Sequence, residues 1–178
     1  MSRTRASIAG SINRGGGVVV NWTKLHEVAP ELAELADQRF ASAEFVMLGT
    51  LRKDGWPRIS PIEYTIFDGE FTMGGIWQAK KALDLLRDPR CAIHSATTNK
   101  NGQEGDVKLY GRAMPLAPER EEPYWQHVFE STGWRAKGPA HVFTFDVMSA
   151  GYVVFAESGT MRMLTWPGPQ EWVVREET

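Results

Sequence analysis

The chain has 178 residues, 42% of them hydrophobic and 24% charged, with a formal net charge of −2 at pH 7. That length and composition suit one globular domain with a sizeable core, and the charge excludes the basic surplus that accompanies nucleic-acid or anionic-membrane binding. Its only cysteine, Cys91, cannot close an internal disulfide, and no stretch reads as a membrane span or a complete export signal, so the expected setting is cytoplasmic.

The first 21 residues hold three arginines, no acid and a triple glycine, and read as a flexible tail. Order is expected near Trp22, because "LHEVAPELAELADQRFA" sets Leu25, Val28, Leu32, Leu35 and Phe40 close to one helical stripe. Pro30 should sit early in that helix or split it. From Glu44 the pattern changes to strands: "EFVMLGTL", the turn "RKDG", "WPRISPIEYTIF", a second Asp-Gly turn and "EFTMGGI". Asp-Gly between apolar or alternating runs is a hairpin signal, so two successive hairpins are predicted. A helix over "KKALDLLR" follows, with Ala82, Leu83, Leu85 and Leu86 as its apolar side and Asp88-Pro89 as its stop.

"RCAIHSA" and "VKLYGRAMPL" read as strands on either side of a polar turn, and "APEREEPYWQHVFEST" as a second surface helix with an acidic start. The remaining strands are "HVFTFDVM", "GYVVFA" and "MRMLTW", with "PGPQEWVVREET" as an exposed or partner-packed end. Seven or eight antiparallel strands with helices inserted between them imply a mainly β, α+β domain built on a small closed or split barrel, spanning 22–178 with a C-terminal extension.

Self-contained chemistry finds little support. His26, His94, His127 and His141 are scattered and no cysteine pair exists, so no metal site is expected. No serine stands in a nucleophile elbow, and phosphate-loop and dinucleotide glycine fingerprints are missing. The informative feature is the helix that opens with Lys80 and Lys81. Cations at the positive end of a helix dipole are disfavoured by about 0.3–1 kcal/mol each, and a bound phosphate reverses that sign. Gly74 and Gly75, at the end of the preceding strand, would let another group approach the backbone.

The ordered set "LGTLRKDGWPRISPIEY", "DGEFTMGG", "KKALDLLRDPRCAIH" and "DVKLYGRA" resembles the pyridoxamine 5′-phosphate oxidase-like, FMN-binding split-barrel superfamily, which includes deazaflavin-dependent reductases. The match covers residues 44 to 115 and continues more loosely through "HVFTFDV" to "YVVF". The resemblance implies a homodimer of split barrels with cofactor at the subunit interface. It carries the phosphate-binding lysine onto Lys81, with Lys80 as a basic neighbour. Arg58, Ile59, Ser60 and Pro61 correspond to the strand that runs along the flavin, with Arg58 at a phosphate contact, and Gly74 and Gly75 border the cofactor.

There are departures. Glu63 stands where vitamin-processing members have a basic residue, Asp106 where many have an amide facing the cofactor, and the C-terminal signature of true pyridoxamine phosphate oxidases is absent. The reading is therefore an FMN-dependent oxidoreductase moving hydride to or from a small conjugated substrate, not vitamin B6. The alternatives are a deazaflavin (F-420 type) reductase on the same fold, with Lys53, Arg87 and Arg90 as candidates for its acidic tail, or a non-catalytic cofactor- or haem-binding protein. Trp77, Trp125 and Trp134 are candidates for a substrate wall, Tyr124 and His127 for a proton donor, and His94 for a haem ligand, although core and surface roles are the commoner use of such residues.

Overall fold

The computed structural model describes residues 18–168 and 171–175. Two helices open it, α1 (Trp22–Val28) and α2 (Pro30–Ala41). The Asn21 side chain caps α1 by accepting from Lys24 N–H at 2.8 Å. Pro30 splits the predicted helix, taking the first position of α2, where its missing N–H costs nothing. Val20, two residues ahead of the expected start, already bridges Val147 and is buried.

The sheet follows as β1 (Val46–Leu51), β2 (Pro57–Ile62), β3 (Tyr64–Phe67), β4 (Glu70–Ile76), β5 (Arg90–Ser95), β6 (Asp106–Pro115), β7 (Ala140–Phe155), β8 (Thr160–Trp166) and β9 (Trp172–Arg175). Helix α3 (Lys80–Arg87) lies between β4 and β5, and α4 (Pro118–Thr132) between β6 and β7. Both Asp-Gly hairpins form. Asp68 and Gly69 both take positive φ, 54° and 74°, as the tight turn with matching twist requires.

All described pairings are antiparallel, in the order β2-β1-β5-β6-β7-β4-β3, with β8 on the far half of β7 and β9 on β8. The two ends of that path, β2 and β3, are consecutive in the chain and separated only by Glu63. The sheet must therefore curl until its ends meet, and it does so without a β2–β3 ladder: a split barrel. The predicted single strand "WPRISPIEYTIF" is thus two strands on opposite ends of the sheet. Pro57 and Pro61 are tolerated because β2 is an edge strand.

"HVFTFDVM" and "GYVVFA" were expected as separate strands, but they form one, β7. Gly111 pairs with Val147 and Tyr110 with Ser149, leaving Met148 as the extra residue of a β-bulge. Across it the buried positions change from Phe143, Phe145 and Val147 to Ala150 and Tyr152, a change of parity that mimics a strand break. The C-terminal stretch is exposed at Trp172, Val173 and Val174, and Trp172–Arg175 pairs with β8 as an added edge strand. The core packs Trp22 and Phe40 of the helical cap against Phe71 and Phe145 of the sheet, with Tyr64 stacked on Phe71 at 4.8 Å. Among the described residues no helix is long and apolar enough to cross a membrane.

Gly111 is the tightest point of the bulge, since a Cβ there would lie 1.9 Å from the Asp146 carbonyl oxygen. Gly111→Ala should destabilise the fold by about 2–3 kcal/mol through forced backbone displacement. Urea unfolding followed by tryptophan fluorescence checks this, and an unchanged midpoint would contradict the bulge geometry.

Candidate functional site

Helix α3 starts where β4 ends. Its N-cap, Ala79, has no side chain that can accept a hydrogen bond, no acid stands in the first turn, and Lys80 and Lys81 take the first two positions. The N–H groups of Lys80, Lys81 and Ala82 therefore lack the acceptor a capping side chain would supply. The turn before them is closed by Ala79 N–H donating to the Ile76 carbonyl at 3.0 Å, with Gln78 at φ 60°, a conformation uncommon for a side-chain-bearing residue.

Two ties fasten this helix to β2. The Lys81 ammonium donates to the Pro61 carbonyl at 2.6 Å, and the Arg58 Nε–H donates to Asp84 Oδ2 at 2.7 Å. Burial lowers the Lys81 pKa, and the Glu63 carboxylate opposes that shift. Asp84, only 4% exposed, also accepts from Thr50 Oγ1 at 3.1 Å and from both Arg87 Nη groups at 3.3 Å. Burial would raise its pKa, but the hydrogen bonds from Arg58, Thr50 and Arg87 and the Arg58 charge prevail, so the net shift is downward. The predicted apolar side of α3 is corrected accordingly: Ala82, Asp84 and Leu85 are buried, whereas Leu86 is exposed.

The predicted site residues separate by strand parity. Arg58 and Ser60 share one face of β2 and Ile59 and Pro61 the other, where Ile59 is 72% exposed. Arg58 meets α3 at Asp84, one turn past its start, Lys81 reaches back to β2 at Pro61, and Lys80 stands exposed at the first helical position. Gly74 and Gly75 do end β4, but part of the space beside them is filled by protein. A Cβ on Gly74 would lie 3.2 Å from the Tyr124 hydroxyl, and one on Gly75 would lie 3.7 Å from the Ala82 Cβ. Gly74 thus admits a tyrosine of α4. Burial, with Glu63 adding to it, pushes the Tyr124 hydroxyl up to about 12.

The tryptophans divide between two places. Trp77 stacks on His141 at 4.5 Å, while Trp125 meets Trp134 edge-on at 5.9 Å and Tyr124 at 4.9 Å. His127 sits against Phe67, 3.4 Å from Thr65 Oγ1. On the outer face of β1, β2 and β5, a groove of about 470 Å³ is lined by Met47, Gly49, Ile59, Ala92 and His94. His94 Nδ1 is 2.6 Å from the Ser95 carbonyl, which can only accept, so Nδ1 carries the proton and Nε2 faces Asp106 at 3.8 Å. Asp106 accepts from Lys108 at 2.6 Å. Among the described residues no three of His, Cys, Asp and Glu converge as a metal set.

Asp84, Thr50 and Glu63 were not singled out from the sequence as parts of the network that ties α3 to the sheet. For Asp84 a signal existed: it lies one turn after Lys80, between buried positions of an amphipathic helix, and a carboxylate there needs a cationic partner from another element.

An antiparallel sheet curled to a split barrel, with a cation-rich helix start beside the split, defines the class. The chain belongs to the pyridoxamine 5′-phosphate oxidase family, whose sequence profile matches residues 32–154. No curated protein matches it. Solved structures share the fold at low identity. PhzG from Burkholderia lata, in complex with tetrahydrophenazine-1-carboxylic acid, superposes with a TM-score of 0.59 at 12% identity, over 87% of this chain and 92% of that one. A Clostridium acetobutylicum protein related to general stress protein 26, of the pyridoxinephosphate oxidase family, gives 0.56 at 16% identity, over 79% and 94%. A heme binding protein from Mycobacterium smegmatis gives 0.55 at 21% identity, over 74% and 57%.

The downward shift at Asp84 has a pH consequence. Its stabilising share is complete above the ordinary carboxylate value of 3.8 and is lost as pH falls through the lower folded value. Asp84→Asn should therefore cost stability at pH 7, and the gap from wild type should narrow as pH falls below about 4. Urea midpoints of both proteins between pH 2 and 7 provide the check, and a gap independent of pH would contradict it.

Proposed function

We propose that this chain is an FMN-binding oxidoreductase that acts as a homodimer and moves hydride to or from a small conjugated organic substrate other than vitamin B6. The observation that carries the reading is the uncapped start of α3, with Lys80 and Lys81 in its first two positions and Arg58 tied to Asp84 one turn further along. That donor set fits a phosphate monoester: helix N–H groups, two ammonium groups and a guanidinium whose Nη edge has no partner among the described residues. FMN, when bound, supplies the hydride chemistry. The chain's own work is to hold the phosphate, orient the ring against β2 and exclude water. The partly reduced ring acid held by PhzG supports a substrate of the conjugated type.

Two arginines favour FMN over a deazaflavin with a long acidic tail. Arg87 is committed to Asp84 and the Leu51 carbonyl, and Arg90 to Asp88, whose pKa its hydrogen bonds hold at about 2. Both already hold protein partners, which leaves Lys53 as the tail candidate without one among the described residues. The homodimer reading rests on the uncovered face of β2, β1, β5 and β6. Ile59 and the 52%-exposed Tyr110 flank a floor of Gly49 and Ala92, a shape suited to a second copy of the sheet.

Titration of the cofactor-free protein with FMN and with the deazaflavin, followed by ligand fluorescence, tests the reading. Tight binding of FMN alone is expected. Lys81→Ala should weaken FMN by about 1–3 kcal/mol through loss of a charge-assisted phosphate contact. An unchanged affinity in a folded variant removes Lys81 from the site, and failure of either cofactor to bind removes the enzyme reading.

A second reading, haem binding, rests on His94. With Nδ1–H held by a backbone carbonyl, Nε2 is the ring nitrogen left for a ligand, on a histidine that lines an apolar groove with the Asp106 carboxylate 3.8 Å away. The Mycobacterium smegmatis protein is described as heme binding. Both readings claim the same outer face, so hemin titration separates them. On the haem reading a Soret shift appears in the wild type and disappears in His94→Ala; on the flavin reading no such shift depends on His94.

A further inference from the structure

Asp84 does more than satisfy a buried helix. Its carboxylate takes the Arg58 Nε–H on Oδ2, with Thr50 Oγ1 on the same oxygen and the Arg87 Nη groups on the other. A guanidinium is planar, so a hydrogen bond through Nε fixes its plane and leaves the Nη edge pointing away from the acceptor. An arginine tied in this way loses its rotamer freedom before any ligand arrives. The anchoring carboxylate belongs to α3 itself, four residues after Lys80, a rise of about 6 Å along the axis. One helix therefore carries both the free N–H groups and the group that aims the arginine. Thr50 and Arg58 are cross-strand partners in β1 and β2, so the same carboxylate also joins that ladder to the helix.

We propose that Asp84 is the positioning residue for phosphate recognition: it aims the Nη edge of Arg58 at the monoester held by the start of α3. The inference rests on the flavin reading above. It assigns to one buried acid the selectivity for phosphorylated over unphosphorylated flavin, because riboflavin offers the same ring but no group for Arg58 to meet.

The test is the ratio of riboflavin to FMN dissociation constants in the wild type, Asp84→Asn, Leu85→Val and Arg58→Lys. The amide of Asp84→Asn keeps the volume but cannot hold the guanidinium by charge. The FMN preference should fall by about tenfold or more while riboflavin affinity stays put. Leu85→Val loosens the packing beneath α3 without touching Asp84's hydrogen bonds and should leave the ratio unchanged, which separates aiming from general loosening. Arg58→Lys keeps the positive charge but pairs its single ammonium with Asp84, so the preference should fall as in Asp84→Asn. This variant also serves if Asp84→Asn does not fold. A wild-type ratio in either Asp84→Asn or Arg58→Lys, or an equal loss in Leu85→Val, overturns the assignment. Absence of any FMN preference in the wild type overturns the flavin reading itself, and the inference with it.

Discussion

The fold depends on a covalent constraint of one residue. Glu63 joins β2 to β3, and these strands lie at opposite ends of a seven-strand path. A flat or open sheet cannot satisfy that connection, so the strands must curl, and right-handed twist supplies the direction in which they do so. Closure by chain instead of by a β2–β3 ladder leaves backbone groups at the gap without strand partners. Part of that need is met by Lys81, whose ammonium sits on the Pro61 carbonyl. The split is thus where a cation already sits and where an anion would find it in place.

The electrostatics of α3 follow from the same arrangement. A helix that begins with two lysines and no cap is locally unfavourable, and its stability comes from Ala82, Leu85 and the Asp84 network packed beneath it. Arg58 and Arg87 answer the buried carboxylate, so the network carries one formal positive charge in excess before Lys80 and Lys81 are added. Glu63 offsets a share of it and acts on Lys81 and Tyr124 alike. Such a site favours a ligand group of concentrated negative charge, and a dispersed one gains less.

Most of the fold was legible because its signals are local. The Asp-Gly turns, the amphipathic helices and the strand runs of β1, β4, β5 and β6 need no knowledge of the rest of the chain. What was misread depends on partners distant in sequence. β7 looks like two strands because the Met148 bulge, defined only by pairing with β6, changes which residues face inward. β2 and β3 look like one strand because Glu63 interrupts nothing in the hydrophobic pattern; only the sheet order separates them. The candidate site was legible at Lys80 and Lys81, whose placement violates a local rule, and illegible at Asp84, whose meaning depends on Thr50 and Arg58 across the sheet.

Gly74 shows how a correct signal can carry an incomplete cause. A glycine at a strand end before an uncapped, lysine-led helix invites the reading that a ligand approaches the backbone. Here the Tyr124 hydroxyl occupies that side, so the missing Cβ serves the packing of α4 on β4. The two roles are compatible, because a strand residue has two faces and its backbone edge belongs to neither. The consequence reaches the site: Tyr124 is held against the strand that leads into α3, within the field of Glu63, by the same contact that seats α4. Its hydroxyl is neutral at physiological pH even at the ordinary value of 10, and burial pushes it further up, so whatever approaches from that side meets a neutral hydroxyl. Helix α4 thereby sets one wall of the region in front of β4 through packing alone, independent of the cations that hold the other end.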